Sequence, residues 1–383
     1  MNKNEFDLEA VVQGNTTFAL ALYRSLQRLK GNFVFSPHGI SSALAMTFAG
    51  AEGETARQMA RVLHFSLKQN RLHAAFSAVQ QEISDSSQSG ETVLKTANAL
   101  RFQKGLTLGK KFRSLIQKRY AASFASLDFR SSEAARQEIN AWVKQATQDK
   151  IKDLIPEGAI DARTRLVLLN AIYFKGNWAT PFKEELTQPK TFHLSTNEQM
   201  QTPMMTQENT FYYVENDLAQ ILALPYADSE LMMVILLPLQ IDGLEKLENA
   251  MSLGNLEDWM SRMRETEVNV SLPRFKLNRM IDLKAVLTAM GMVDAFGDQA
   301  NFSGLTENKN DLYISSIFHK TMLEVNEQGA EAAAGAGVVV KARSMFAPPV
   351  FCADHPFIFF ICENTTGSLL FLGRVMNPAG EIG

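Results

Sequence analysis

The chain has little that marks an enzyme, a membrane protein or a disulfide scaffold. Its 383 residues include only two cysteines, Cys352 and Cys362. Disulfide-stapled domains are short and cysteine-dense, so cross-linking is excluded as the main source of stability. The two thiols flank a run that reads as one extended strand. That would hold them about 30 Å apart at ~3.3 Å per residue, too far for a bridge. No apolar stretch approaches the ~20 residues of a membrane span. The longest, such as Leu231–Leu237, suit buried strands instead. A net charge of −3 gives no general attraction to nucleic acid or to an anionic membrane, so neither is expected as a partner. The opening residues, MNKNEFDLEAVVQ, contain no apolar signal segment. The expectation is a chain that stays inside the cell or one that begins after processing.

Catalytic motifs are missing too. There is no GxSxG nucleophile elbow and no HExxH. Gly105–Lys111 has the wrong spacing for a phosphate-binding loop, and Lys stands where Ser or Thr would hold magnesium. Gly335-Ala336-Gly337 lacks the third glycine of a dinucleotide fingerprint. Six histidines and two distant cysteines offer no metal-ligand cluster. Neither metal, cofactor nor catalysis is expected. Ser36 and His38 lie two residues apart, where Ser36 suits helix capping better than nucleophilic attack.

What is present is the composition of a large buried core, 46% hydrophobic and 21% charged. The first third reads mostly helical, with apolar stripes at helical spacing over Thr16–Leu29, Leu72–Ile83 and Glu133–Thr147. Ser36-Pro37 opens a helix over Ile40–Ala49, and Glu54–Leu63 forms a short one. Thr92–Phe102 alternates like a strand. Beyond residue 160 the chain is β-rich. Thr164–Phe174 is apolar enough for a central strand, followed by Phe211–Tyr226, Leu231–Leu237, Glu267–Phe275 and Leu312–Val325. No linker or repeat divides these elements, so residues 1–383 are expected to form one α+β domain.

Residues 327–351, EQGAEAAAGAGVVVKARSMFAPPVF, fit none of these elements. Ala330, Ala332, Ala334, Ala336, Val338 and Val340 share one parity and are all small or apolar. The other parity holds Glu331, Ala333, Gly335, Gly337, Val339 and Lys341. A strand turns alternate side chains to opposite faces, so the segment is patterned to bury one set. Yet Gly and Ala are poor strand formers, and glycine loses much entropy on ordering. The pattern describes a conditional strand, with a flexible Ala/Gly linker as the alternative.

Six runs then join into a family pattern. They are NFVFSPHGISSALAM at 32–46, GAEGETARQM at 50–59, INAWVKQATQDKIKDL at 139–154, LVLLNAIYFKGNW at 166–178, HKTMLEVNEQGAEAAAG at 319–335 and HPFIFFICENTTGSLLFLGRVMNP at 355–378. Through them the chain resembles a serpin over nearly its whole length. The resemblance implies three β-sheets, eight or nine helices and an exposed reactive-centre loop at about 327–351. It also implies suicide inhibition, in which a serine protease cleaves the loop and the loop inserts into the main sheet.

Counted from Glu327, the family's usual hinge start, the scissile bond falls at Arg343–Ser344. The hinge is then Glu327, Gly329, Ala330, Glu331, Ala332, Ala333 and Ala334. Arg343 suits a pocket with a carboxylate at its base, so a trypsin-like serine protease is the expected covalent partner. Gln328 to Arg343 would span roughly 50 Å when extended. Asn170, His319 and Ser36 match polar positions beneath the centre of the main sheet. Trp178 matches the aromatic at its top, and Arg274 matches a basic residue able to pair with Glu327. Gly39 departs from the pattern, since serine is usual there and a hydroxyl is lost from the polar cluster.

The segment around helix 72–83 has Lys68 and Arg71 at its start but Glu82 and Asp85 at its end, which argues against a glycosaminoglycan site. Lys110, Lys111, Arg113, Lys118 and Arg119 read first as a solvated face. A monomer is expected. The inhibitory role favours the extracellular space, whereas the free thiols also permit the cytoplasm. A non-inhibitory carrier, chaperone or storage protein, or an inhibitor of cysteine proteases, stands as the alternative.

Overall fold

The computed structural model describes residues 3–86, 92–120, 122–227, 229–306, 312–328 and 347–380. Among them the helices are α1 (Lys3–Leu26), α2 (Pro37–Phe48), α3 (Gly53–Val62), α4 (Gln69–Ser86), α5 (Lys110–Tyr120), α6 (Ser132–Ala146), α7 (Leu244–Ala250), α8 (Leu253–Arg262) and α9 (Lys284–Ala289). The strands are β1 (Phe33–Phe35), β2 (Val93–Gln103), β3 (Ser123–Leu127), β4 (Leu166–Lys175), β5 (Gln188–His193), β6 (Gln199–Glu215) and β7 (Ala219–Pro225). They continue with β8 (Leu231–Pro238), β9 (Arg264–Pro273), β10 (Phe275–Asp282), β11 (Ile314–Val325), β12 (Val350–Cys352), β13 (Phe357–Glu363) and β14 (Leu369–Val375).

One sheet has the order β10-β11-β4-β2-β3. The other runs β1-β14-β13-β8-β7-β6-β9-β12, with β5 on β6. Of the three sheets expected, two are therefore joined through the long β6, which pairs with β5 at its start, with β9 from Met204 to Tyr213 and with β7 at its end. The α+β class stands.

The five-stranded sheet lies between two cores. Ala97, Val167, Leu169, Ala171, Tyr173 and Phe318 face Ile139 and Val143 of α6 and the following Ile151, Leu154 and Ile155. Leu100, Leu168, Ile172 and Phe174 face the main core instead. Covered on both sides, β4 is buried from Leu166 to Phe174, which is why it reads as a continuous apolar run. Helix α2 is buried along its entire length, and its polar residues His38, Ser42 and Thr47 are hydrogen-bonded there.

Three elements differ from the sequence expectation. Helix α1 begins at Lys3, well before Thr16, and its early turn is fastened to α4 by Asp7 bonded to Arg71 Nε at 2.9 Å. Phe211–Tyr226 is two strands, because the Asn216 side chain accepts from the amides of Leu218 and Ala219 at 2.8 and 3.0 Å and turns the chain. The run between the cysteines is also two strands. Cys352 ends β12, Cys362 lies in β13, and both thiols are free.

Candidate functional site: a strand junction and its exit

Strands β4 and β11 are parallel neighbours, registered from Ile314 opposite Leu166 to Leu323 opposite Phe174. β11 pairs antiparallel with β10 on its other side, and β4 pairs antiparallel with β2. A segment that turned back after Val325 and entered between β11 and β4 would be antiparallel to both. Parallel pairing is slightly weaker per residue, so the seam is the natural place for such an entry.

A polar row crosses the middle of this apolar sheet. Asn98 on β2 lies opposite Asn170 on β4, and Asn170 lies opposite His319 on β11. Asn170 Nδ2 donates to Asn98 Oδ1 at 2.5 Å. His319 Nδ1 is 2.6 Å from Asn170 Oδ1, and the Ser36 amide donates to His319 Nε2 at 3.0 Å. An acceptor at Nδ1 and a donor at Nε2 fit one state only, the neutral imidazole protonated on Nδ1. Burial pushes the His319 pKa down to about 3, consistent with that state. Ser36 caps α2, its hydroxyl accepting from the Gly39 amide at 3.1 Å. Ser36, Asn170 and His319 therefore form one buried unit that ties α2 to both strands of the seam. Sequence reasoning missed Asn98. Its only signal was an amide in an otherwise small and apolar strand, TANAL.

Gly39 acquires a different meaning here. An ideal Cβ on it would fall 2.7 Å from Asn170 Oδ1, 2.9 Å from Asn170 Nδ2 and 3.0 Å from Ser36 Oγ. The position does more than omit a hydroxyl, since the Asn170 amide occupies the room a side chain would need.

The exit from β11 is fastened residue by residue. The Trp178 indole donates to the Asn326 carbonyl at 2.9 Å and stacks on Tyr226, with ring centroids 4.6 Å apart. The Phe182 amide donates to the Glu327 carbonyl at 2.9 Å. The Glu327 carboxylate, 3% exposed, receives Arg274 and the Thr187 hydroxyl at 2.5 Å each. Gln328 Nε2 donates to Glu184 at 2.9 Å. The segment 178–187 thus holds Asn326, Glu327 and Gln328, where the chain passes from β11 into the conditional strand. Thr187 and Glu184 were also missed, because nothing local in KEELTQ marks them as partners. Gly329, Ala330, Glu331, Ala332, Ala333, Ala334, Arg343 and Ser344 lie outside the described residues.

Among the described residues no group of His, Cys, Asp and Glu side chains is arranged to hold a metal ion. No described helix is long and apolar enough to cross a membrane.

The site is thus a parallel seam between β4 and β11, a buried polar cluster beneath it and a fastened exit from β11. The profile of the serpin (serine protease inhibitor) family matches residues 13–378. Serpin B6 of Macaca fascicularis is 40% identical over 97% of this chain and 100% of its own length. Leukocyte elastase inhibitor of Sus scrofa is 42% identical over the same shares. The structure of uncleaved ovalbumin superimposes with a TM-score of 0.89 at 30% identity, covering 96% of this chain and 100% of that one. The chain belongs to the serpin family, and with it to a class of inhibitors rather than enzymes.

Proposed function

We propose that the protein is a suicide-substrate inhibitor of trypsin-like serine proteases, with Arg343–Ser344 as the bait bond. The observation that carries this reading is the parallel seam between β4 and β11, between which a strand returning from Val325 would be antiparallel to both neighbours. The protease serine adds through its Oγ to the Arg343 carbonyl. The bond to the Ser344 nitrogen breaks, and that nitrogen leaves as an amine with the proton delivered by the protease's histidine. An ester to Arg343 remains. Insertion of the freed arm carries the ester, and the protease with it, along the sheet before water completes hydrolysis.

Small side chains at Ala330, Ala332, Ala334 and Ala336 enter without a prepared cavity. Apolar burial and two new antiparallel ladders favour the inserted state, so the uncut protein is trapped kinetically. The names of the relatives support protease inhibition, while the choice of a trypsin-like target rests on Arg343.

Incubation with trypsin followed by a denaturing gel tests the reading. A stable adduct near the summed mass is expected, together with a large rise in thermal midpoint of the loop-cleaved protein. Cleavage after Arg343 with no adduct would reduce the loop to a substrate and overturn it.

A further inference from the structure

The sheet that receives β12 presents a second feature, on a strand that begins seven residues beyond Arg343 in the chain. Its ladder places Tyr212 opposite Glu265, the neighbouring Thr210 opposite Glu267, and Glu208 opposite Asn269. Val350 of β12 lies opposite Asn269 on the other side. Paired residues share a face, so these seven side chains form one contiguous surface. The opposite parity, with Phe211, Val268, Val270 and Phe351, is interior. Tyr212 and Val350 are 51% and 61% exposed, two of the few large apolar side chains so open to solvent. Glu208 and Glu265 are exposed and Glu267 half-buried. None of the three carboxylates forms an ion pair among the described residues. Lys190, on the neighbouring β5, is occupied with Thr206 of β6 and Ser271 of β9 at 3.4 Å.

We infer that this acidic face, with Tyr212 and Val350 as its apolar contacts, is a docking surface for the target protease. It selects enzymes whose surface beside the active-site cleft is cationic. The inference rests on the reading of Arg343 as the bait. Val350 lies only seven residues beyond Arg343 in the chain, so an enzyme engaged at the bond is brought close to this face. Three uncompensated carboxylates attract a basic surface, and the exposed tyrosine supplies the kind of amphipathic contact enriched at interfaces. Complementary charge acts chiefly on the encounter rate and on partner choice.

The association rate constant is measured against cationic and anionic trypsin, which share their preference for Arg and Lys. The protein is compared with the triple variants Glu208→Lys/Glu265→Lys/Glu267→Lys and Glu208→Gln/Glu265→Gln/Glu267→Gln, and with Tyr212→Ser. For the unmodified protein, cationic trypsin should associate about tenfold faster at low salt, with the advantage shrinking as salt rises. The Lys variant should remove or invert the preference, and the Gln variant should remove most of it. Tyr212→Ser should slow association with cationic trypsin severalfold.

Where no adduct forms, the rate of cleavage after Arg343 still reports encounter, so failure of trapping is distinguishable from failure of docking. Stoichiometry, set by loop insertion, should be unchanged in all variants. Equal rates for the two trypsins, unmoved by salt and by charge reversal, would overturn the inference.

Discussion

Gly39→Ala is a one-methyl perturbation whose consequence can be worked from the seam outward. In an ordinary helix the change stabilises by roughly 0.5–1 kcal/mol, because the unfolded chain loses freedom. Here the new methyl would sit 2.7 Å from Asn170 Oδ1, so the amide must swing away. His319 Nδ1–H then loses its acceptor inside a residue that is 0% exposed, at a cost of about 1–3 kcal/mol. The Asn170–Asn98 bond contributes about 1 kcal/mol more. The net is a loss of ~2 kcal/mol. With an unfolding entropy of ~2.1 cal/mol/K per residue, that lowers the thermal midpoint by about 2–3 °C. If the junction is already formed in the unfolding transition state, the effect falls on refolding. If it is lost there, unfolding in urea accelerates by up to ~30-fold. In an Asn170→Ala background the methyl finds room, so the same change should turn neutral or stabilising. A midpoint raised by Gly39→Ala in the unmodified protein, or additivity of the two changes, would refute this account of the junction.

Acid should weaken the native state. Burial lowers the pKa values of His38 and His319 to about 4 and about 3, and also lowers His73 to about 4. Unfolding raises each towards 6.5, so the unfolded chain binds more protons between those limits. Stability is then full above about pH 6.5 and falls as pH drops towards 4, by at most ~1.4 kcal/mol per pH unit per histidine. Urea midpoints measured from pH 7 to 4.5 should fall steadily, and less steeply in His319→Gln. Arg274→Ala leaves the buried Glu327 carboxylate with Thr187 as its remaining side-chain partner. The arginine is 45% exposed, so the loss should be modest, about 1–2 kcal/mol, and spontaneous conversion to a heat-resistant, inactive form should quicken. Arg343→Ala should abolish trypsin inhibition yet leave insertion intact, as judged by the heat resistance of loop-cleaved protein. Ala332→Arg should do the reverse, accepting cleavage while blocking insertion; if it still trapped trypsin, the insertion argument would fail.

The sequence displayed those parts of the fold whose physics is local. A strand covered on both faces must be apolar throughout, so β4 announced itself. Ser36-Pro37 had the chemistry of a helix start, and Ser36 caps α2. The seam was not legible in this way. Whether β11 pairs parallel with β4 depends on chain crossings that no periodicity records, and the expectation came from family resemblance alone. Asn98 was invisible for a related reason. One amide in a strand means little until the register sets it opposite Asn170, which is itself opposite His319.

Thr187 and Glu184 show the same limit at the exit, since nothing along the chain hints that Glu327 accepts from Thr187 or that Gln328 donates to Glu184. Gly39 changes meaning for the same reason. Along the chain it is a missing hydroxyl. In the packed junction it is the room that lets the Asn170 amide reach both its neighbours. In the proposed mechanism the junction must hold the two parallel strands together and yet release them once, and hydrogen bonds suit that task better than interlocked methyl groups. Each can be exchanged for another polar partner as the strands part, whereas a well-packed apolar seam would lose its dispersion contacts before an entering strand could replace them.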